Sequence, residues 1–263
     1  MPSNYAHHRF GIQVFPNLPS SVRYSCFRFR RLFDLGLQGP DFFFYHNFMH
    51  KTPLVKLGSA YHQMSGREFF GKICSRLRTE ASDEEQAYLY GLLGHYCLDK
   101  SCHPFVYGTT EDGVIGHSEL ETEFDRYLME LDGIKKPHGY HHFTAHRMNR
   151  KERKTVADFF PEARPRDIRR CTVNMALLTR ALATPCIRGA TKLVTAAAGG
   201  DVPGKVMTIG PNPKCAHLNG KMMLLYEKAV TRFPGMLEQL QNHLERRSPL
   251  DDAFAPNFDR GYI

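Results

Sequence analysis

Residues 82–104 read SDEEQAYLYGLLGHYCLDKSCHP, and this stretch decides the fold. Ser82 followed by Glu85 three residues later is the pattern of a helix capping box, so a helix is predicted to begin at the next residue. Apolar residues then recur at helical spacing. Because Pro104 disfavours helical backbone at the residue before it, we expect this helix to end near His103.

The last two turns of this predicted helix carry His95, Asp99 and His103, each four residues from the next. Side chains four residues apart lie on one face of a helix, about one turn apart, so these three form a stripe. The pair His117 and Glu121 has the same spacing at the start of another predicted helix. Imidazole and carboxylate groups are what zinc takes in hydrolytic sites, so the pattern indicates a metal site.

Three further candidate ligands precede this stripe, namely His7, Asp41 and His62. Taken singly, each of these histidines is typical of a hydrogen-bonded core or surface residue, and Asp41 is typical of a turn. A histidine and an acid four residues apart, such as His95 and Asp99, are also typical of a plain hydrogen bond along a helix. The ordered set of eight favours metal binding. Phosphodiester cleavage gains from two ions about 3.5–4 Å apart, and Asp99, flanked by histidines, is the candidate bridging carboxylate.

Helical patterns account for most of the remaining chain, and no alternating strand pattern of useful length and no internal repeat occurs. The predicted helices cover residues 6–18, 20–37, 55–77, 83–103, 116–131, 151–160, 167–195, 217–230 and 234–246. The predicted fold class is all-α, a multi-helix bundle. We expect one domain over 1–263, with a metal-ligand core at 1–131 and C-terminal helices at 150–263.

The composition is that of a globular protein, with 42% hydrophobic and 24% charged residues, which excludes disorder and collagen-like repeats. Seven cysteines, an odd number without framework spacing, indicate a reducing compartment. No stretch approaches the ~18 apolar residues of a membrane span, and the N-terminus lacks the apolar region of a signal peptide. We therefore expect a cytoplasmic protein.

The net charge of +8 comes chiefly from three basic runs near residues 28–31, 147–154 and 164–170. This excess of positive charge favours anionic partners such as phosphodiesters, nucleic acid or an acidic membrane surface. A solvated basic face is the alternative.

Three other features of the sequence each leave more than one interpretation open. Four histidines lie in a basic, Gly/Pro-rich loop: His138, His141, His142 and His146. Solvent exposure is expected for them, with metal binding or the lining of a substrate cleft as the alternative. Cys97 and Cys102 lie on other helix faces than the stripe, so we expect buried thiols rather than zinc thiolates. Core packing is expected for the aromatic run at 42–45, with the floor of the site as the alternative.

In this order, the eight candidate ligands resemble those of the zinc-dependent phospholipase C family, relatives of bacterial phosphatidylcholine-hydrolysing enzymes whose fold is shared by the S1/P1 nucleases. MPSNYAHHRFG, GPDFFFY and GHYCLDKSCHP are similar in particular to shorter bacterial members without a signal peptide. The resemblance is strong over residues 1–130 and weak beyond. It implies a helical bundle of the phospholipase C and P1 nuclease type.

The resemblance also implies a ligand scheme for two or three zinc ions. One ion takes Asp41, His62, His95 and Asp99. A second takes Asp99, His7 and the N-terminal amine and carbonyl, which Pro2 is expected to supply after removal of Met1. The third takes His103, His117 and Glu121. Asp41 is further implied as the catalytic residue that orients or deprotonates the attacking water.

Three functional classes follow. The preferred one is a zinc-dependent phosphoric diester hydrolase, phospholipase C-like, that acts on a phospholipid or small phosphodiester, with an anionic membrane surface as a candidate partner. The second is a single-strand nuclease of the S1/P1 type, which the basic charge favours and the absence of tryptophan for base stacking disfavours. The third is a non-catalytic, zinc-binding helical protein.

Overall fold

The computed structural model describes residues 4–47, 50–77, 81–141, 143, 145–185, 203–245 and 248–259. Their α-helices are α1 (Asn4–Val14), α2 (Ser20–Arg28), α3 (Arg30–Gly36), α4 (Pro53–Gln63), α5 (Gly66–Arg76), α6 (Asp83–Thr110), α7 (His117–Leu131), α8 (Arg150–Phe159), α9 (Pro165–Ala183) and α10 (Asn219–Leu244). A 3₁₀-helix, Gly39–Tyr45, follows α3. No strand occurs among these residues, which confirms the all-α prediction.

Helix α6 lies at the centre of this bundle. Every residue from Ala87 to Asp99 is buried, including both apolar and ligand-type side chains. Helices α2, α3 and α10 pack against it. A helix that is buried all round belongs to a protein core, so the His95, Asp99 and His103 stripe faces other elements of the fold rather than solvent.

Two glycines let α3 approach the backbone of α6. A Cβ atom at Gly91 would lie 2.3 Å from the carbonyl oxygen of Phe33, and one at Gly36 would lie 2.4 Å from the carbonyl oxygen of Tyr88. A backbone oxygen cannot rotate away as a side chain can, so this spacing requires residues without a Cβ. Because α3 lies this close to α6, the segment that follows α3, Gly39–Tyr45, lies next to the ligand stripe.

Replacement of Gly91 by Ala tests this contact. We expect Gly91→Ala to lower the free energy of unfolding by about 1–3 kcal/mol, the usual cost of overpacking. Gly108→Ala is the matched control, because Gly108 lies on the same helix with open space at its Cβ. The control should be neutral or stabilising by up to about 1 kcal/mol, since alanine is the better helix former. Equal stability of both variants in chemical denaturation would contradict the close approach.

The prediction that α6 ends near His103 is wrong, because the helix continues through Pro104 to Thr110. A proline inside a helix removes one hydrogen bond and crowds the preceding turn, at a cost of about 3 kcal/mol or more. Val106, fully buried beyond the proline, supplies packing that offsets this cost. The predicted helices 217–230 and 234–246 are likewise one helix, α10, which passes through Pro234.

Two other predicted helices are each broken in two. The helix predicted at 20–37 is interrupted at Phe29, where φ is −113° and ψ is 46°, and this bend directs α3 along α6. The helix predicted at 55–77 is interrupted at Met64 and Ser65, which have extended backbone. The Ser65 hydroxyl accepts a hydrogen bond from the Glu68 amide at 3.2 Å and so caps α5.

Smaller differences concern helix ends. The first predicted helix, 6–18, begins at Asn4 and ends at Val14, followed by a 3₁₀ turn. The helix predicted at 167–195 is observed as Pro165–Ala183, and its last residues lie outside the described part. Predictions at 116–131 and 151–160 match α7 and α8. In the described residues, no helix is both long and apolar enough to cross a bilayer.

Candidate metal centre

Eight candidate ligands converge from five elements of the fold. They are His7 on α1, Asp41 in the 3₁₀-helix, His62 on α4, His95, Asp99 and His103 on α6, and His117 and Glu121 on α7. Seven are buried, and His117 is partly exposed. Their ligand atoms form three groups, each within 4.8 Å: His7, His95 and Asp99; Asp41, His62 and His95; and His103, His117 and Glu121. We refer to these eight residues, whose groups could hold metal ions, as the metal centre.

The first two groups share His95, and Asp99 of the first group faces His62 of the second. The Asp99 carboxylate has Oδ2 at 3.0 Å from His95 Nε2 and Oδ1 at 3.1 Å from His7 Nε2. His62 Nε2 lies 2.9 Å from Asp41 Oδ1 and 4.0 Å from Asp99 Oδ2. Two carboxylates therefore face three imidazoles inside the core.

These facing atoms lie 2.9–3.0 Å apart, but their directions do not fit hydrogen bonds. Among the described residues, Nε2 of His62 and of His95 and one carboxylate oxygen each of Asp41 and Asp99 are buried without a hydrogen-bond partner. Such atoms are rare in native proteins and cost about 1–3 kcal/mol each. A divalent cation among them would satisfy all four, so the donor set fits a metal ion.

The third group is built around one oxygen of Glu121. His103 Nε2 lies 3.2 Å from Glu121 Oε1, and His117 Nε2 lies 3.1 Å from the same atom. The His117 side chain is 18% exposed, whereas the other seven members of the metal centre are nearly inaccessible. This group is therefore the part of the centre nearest to the surface.

Backbone carbonyls hold the outward-facing nitrogens of three histidines. Nδ1 of His62 lies 2.7 Å from the Gly58 carbonyl oxygen, and Nδ1 of His95 lies 3.3 Å from that of Leu37. Nδ1 of His103 has a carbonyl acceptor as well. With the proton on Nδ1, each ring presents the lone pair of Nε2 to the centre, as a metal ligand must.

Gly39 lies directly against the His95 ring. Its φ is +53°, and a Cβ atom there would lie 2.0 Å from Cδ2 and 2.3 Å from Nε2 of His95. Only glycine adopts this conformation without strain and leaves room for the ring. The chain can therefore pass the imidazole and place Asp41 beside it.

The electrostatics of the metal-free centre favour ionised carboxylates. Burial raises the pKa of Asp41 and of Asp99, but the neighbouring imidazoles outweigh burial and hold both pKa values below the ordinary range. Burial lowers the pKa of His103, yet Asp99 and Glu121 raise it to about 10. The pKa of His95 lies below its usual value because of burial, with His7 acting in the same direction. The site thus has anionic oxygens ready for a cation.

Asp125 belongs to the surroundings of the metal centre and was missed by the sequence analysis. Its carboxylate accepts hydrogen bonds from the backbone amides of Tyr5 at 3.0 Å and Ala6 at 2.7 Å. It thereby fastens the first turn of α1, directly before His7, to α7. The sequence contained a pattern that could have indicated Asp125, because it follows Glu121 at the same spacing of four residues.

A cavity of about 730 Å³ adjoins the metal centre. Its lining includes Phe44, whose ring stacks on His62 with centroids 5.7 Å apart, and Ser118 and Thr122, which flank the ligand positions of α7. No member of the metal centre is among the described residues of this lining. The cavity therefore lies beside the metal centre and does not contain it.

The histidines of the basic loop do not all lie in the same surroundings. His141 is exposed, as expected, and His138 is half-buried; both line this cavity, as the cleft interpretation requires. His146 lies in a 3₁₀ turn away from the described lining, and Pro2 and His142 lie outside the described residues. No metal-ligand group of the described part includes a histidine of this loop.

Core packing is confirmed for most of the aromatic run. Phe42 and Phe43 are fully buried and meet Phe160 with ring centroids 5.9 Å and 5.1 Å apart. Cys97 and Cys102 are free, buried thiols, as expected, and burial raises the pKa of Cys97 to about 12. Neither cysteine joins a candidate ligand group in the described residues.

One family model matches the chain: it is described as zinc dependent phospholipase C and spans residues 6–166, more than half of the 263 residues. Searches of curated proteins and of solved structures returned no significant match. The matched region contains the whole metal centre, from His7 to Glu121. The chain therefore belongs to the zinc-dependent phospholipase C family.

Proposed function

We propose that the protein is a zinc-dependent phosphoric diester hydrolase, phospholipase C-like, and that it acts on a phospholipid or a small phosphodiester. Water would add to phosphorus, the P–O bond to the alcohol would break, and the alcohol would leave with a proton. The observation that carries the proposal is the convergence of buried, unpartnered nitrogen and oxygen atoms in a family of zinc-dependent hydrolases.

Two or three zinc ions are the proposed cofactors. Asp99 would be shared between the sites of two ions, with Asp41, His62 and His95 on one side and His7 on the other. Residues His103, His117 and Glu121 would hold the third. Zinc supplies a Lewis acid for the phosphoryl oxygen and lowers the pKa of water. The amine of Pro2 stays a proposed ligand, which intact-mass measurement of the mature N-terminus tests.

Asp41 is the proposed general base. Its lowered pKa keeps the carboxylate ionised at neutral pH, so it can accept a proton from water. We expect Asp41→Asn to reduce kcat by about 10²–10⁴-fold even at saturating zinc, the usual range for loss of a general base. Steady-state kinetics with bound zinc measured in parallel provide the check. Full turnover by the zinc-loaded variant would remove Asp41 from this role.

Zinc binding should release protons at neutral pH. In the metal-free protein the pKa of His103 is about 10, so its imidazole is protonated at pH 7 and must lose a proton to bind zinc. Zinc affinity should therefore rise between pH 6 and 8, by about tenfold per pH unit for each displaced proton. Calorimetry in buffers of different ionisation enthalpy measures the protons released. A pH-independent affinity would contradict this charge state.

The cavity supports an amphiphilic substrate. Aromatic and aliphatic residues such as Phe44, Phe143 and Leu182 line it together with Lys51 and Lys205. Apolar walls with a few cationic groups suit an ester that carries a phosphate next to an apolar portion. A phospholipid or a related phosphodiester is accordingly the proposed substrate class.

A single-strand nuclease is less well supported. Among the described residues, six cationic side chains of the basic runs pair with carboxylates: Arg28, Arg30, Arg31, Lys151, Lys154 and Arg164. This pairing reduces the positive surface available to nucleic acid phosphates and favours the solvated-face interpretation.

Elemental analysis together with a substrate panel tests the proposed function. We expect two or three zinc ions per chain and chelator-sensitive hydrolysis of bis(p-nitrophenyl) phosphate. Phosphatidylcholine and phosphatidylglycerol vesicles form the lipid arm, and a single-stranded oligonucleotide forms the nuclease arm. Cleavage of the oligonucleotide alone would select the nuclease. One tightly held ion without turnover would show a non-catalytic zinc protein.

A cytoplasmic location is also part of the proposal. Each cysteine that the structure describes is free, which suits a reducing compartment. Detection of the native protein in cell fractions tests the location.

A further inference from the structure

We propose that the C-terminal segment 253–259 supports the metal centre by holding His103 in the orientation of a zinc ligand. This inference rests on the proposed zinc binding. The segment lies about ninety residues beyond residues 6–166, the region that the family match covers. It is therefore an element of this chain that the family match does not account for.

The main contact joins the segment to His103. Nδ1 of His103 donates a hydrogen bond to the Phe258 carbonyl oxygen at 2.8 Å, while Nε2 faces Glu121 at 3.2 Å. The carbonyl acts only as an acceptor, so it places the proton on Nδ1 and directs the lone pair of Nε2 to the metal side. The segment thus sets both the tautomer and the angle of the ring.

Asp259 adds a negative charge at the same place. Its Oδ1 lies 3.9 Å from His103 Nδ1, and its side chain is largely buried. The Gln63 side chain donates a hydrogen bond to the other carboxylate oxygen and holds it in position. A carboxylate behind a ligand imidazole makes the ring a stronger donor to a cation.

Phe258 also covers two other members of the centre. Its ring centroid lies 5.5 Å from that of His62 and 5.9 Å from that of His95, and the side chain is fully buried. Its backbone amide donates to the His62 carbonyl oxygen at 3.2 Å. One residue therefore contacts histidines from both helices and excludes water from their outer side.

The segment is anchored along α6 and at the start of α5. The Tyr96 hydroxyl, next to His95 in sequence, donates to the Pro256 carbonyl oxygen at 2.8 Å. Lys100 Nζ lies 2.6 Å from the Ala253 carbonyl oxygen, and the Gly66 amide donates to Pro256 at 2.9 Å. These anchors make the position of Phe258 a consequence of the fold rather than of a bound metal.

Asp259→Asn is the variant that tests the inference, and Asp252→Asn is its matched control. Asp252 directly precedes the segment, but its side chain is 93% exposed and pairs with Arg67 at the surface. We expect Asp259→Asn to weaken zinc binding by about tenfold and a chain that ends at Ala255 by about a hundredfold, the range for loss of a group behind a metal ligand. The control should bind zinc as the full chain does.

Zinc affinity is measured by competition with a chromophoric chelator, alongside circular dichroism and melting of the metal-free proteins. The inference is overturned if Asp259→Asn binds zinc as tightly as the full chain, or if variants melt earlier but keep full affinity when folded. Should the shortened chain fail to fold, Asp259→Asn decides alone. A full chain that binds zinc but cleaves no phosphodiester would refute the proposed function and leave this inference standing.

Discussion

Asp99→Asn should lower zinc affinity by more than about a hundredfold and abolish turnover, while the helix content stays largely intact. Asp99 has one carboxylate oxygen facing His7 and the other facing His95, with His62 and His103 within 4.0 Å of the second oxygen. An amide removes the charge and replaces one acceptor with a donor. The loss should therefore exceed the 10–100-fold effect of residues behind the ligands.

The measurement is zinc content by elemental analysis, with phosphodiesterase activity and circular dichroism on the same samples. Asp158→Asn provides the matched control, because its carboxylate lies at the surface and pairs with Lys154. The control should keep its zinc and activity, since an exposed pair contributes only about 0–1 kcal/mol. An Asp99→Asn protein with normal zinc content would rule out a bridging role for this carboxylate.

Gly39→Ala should also weaken zinc binding, although Gly39 supplies no ligand atom. The methyl group would lie 2.0 Å from the His95 ring, which belongs to two of the three candidate ligand groups. The ring is fully buried and its Nδ1 is held by the Leu37 carbonyl, so it cannot move aside without losing its orientation. We expect zinc affinity to fall by at least about tenfold, with kcat/KM falling in parallel.

Gly113→Ala separates steric displacement from backbone strain. Gly113 has a φ of +73°, but open space surrounds its Cβ position. Both variants carry the strain of a left-handed residue, about 1–2 kcal/mol, and only Gly39→Ala also displaces a histidine. Thermal melting should show a loss for both, whereas zinc titration should show a loss for Gly39→Ala alone. Equal zinc affinity in the two variants would contradict the contact with His95.

Local sequence patterns predicted the parts of the site that lie on single helices. The stripe on α6 and the pair on α7 follow from a spacing of four residues, and the capping box at Ser82 is present in the structure. Elsewhere, packing between distant segments made predictions from the same patterns wrong. Pro104 was expected to end α6, but the helix continues beyond it, where Val106 and other residues still pack into the core.

Contacts between segments far apart in the chain could not be predicted from local sequence patterns. Phe258 and Asp259 lie more than 150 residues from His103 and show no spacing that connects them to it. No sequence pattern marked Gly39 either, because a Gly-Pro pair does not reveal which ring the chain must pass. Such roles depend on where helices cross rather than on periodicity.

By itself, the sequence determined the helical class and the residues able to bind metal, because periodicity and side-chain chemistry are local properties. Only the tertiary structure decided how those residues combine: His95 is shared by two groups, and His103 meets Glu121 of the next helix. These pairings require helices to approach within a few ångströms. That approach depends on packing between segments far apart in the chain, such as Gly36 against Gly91.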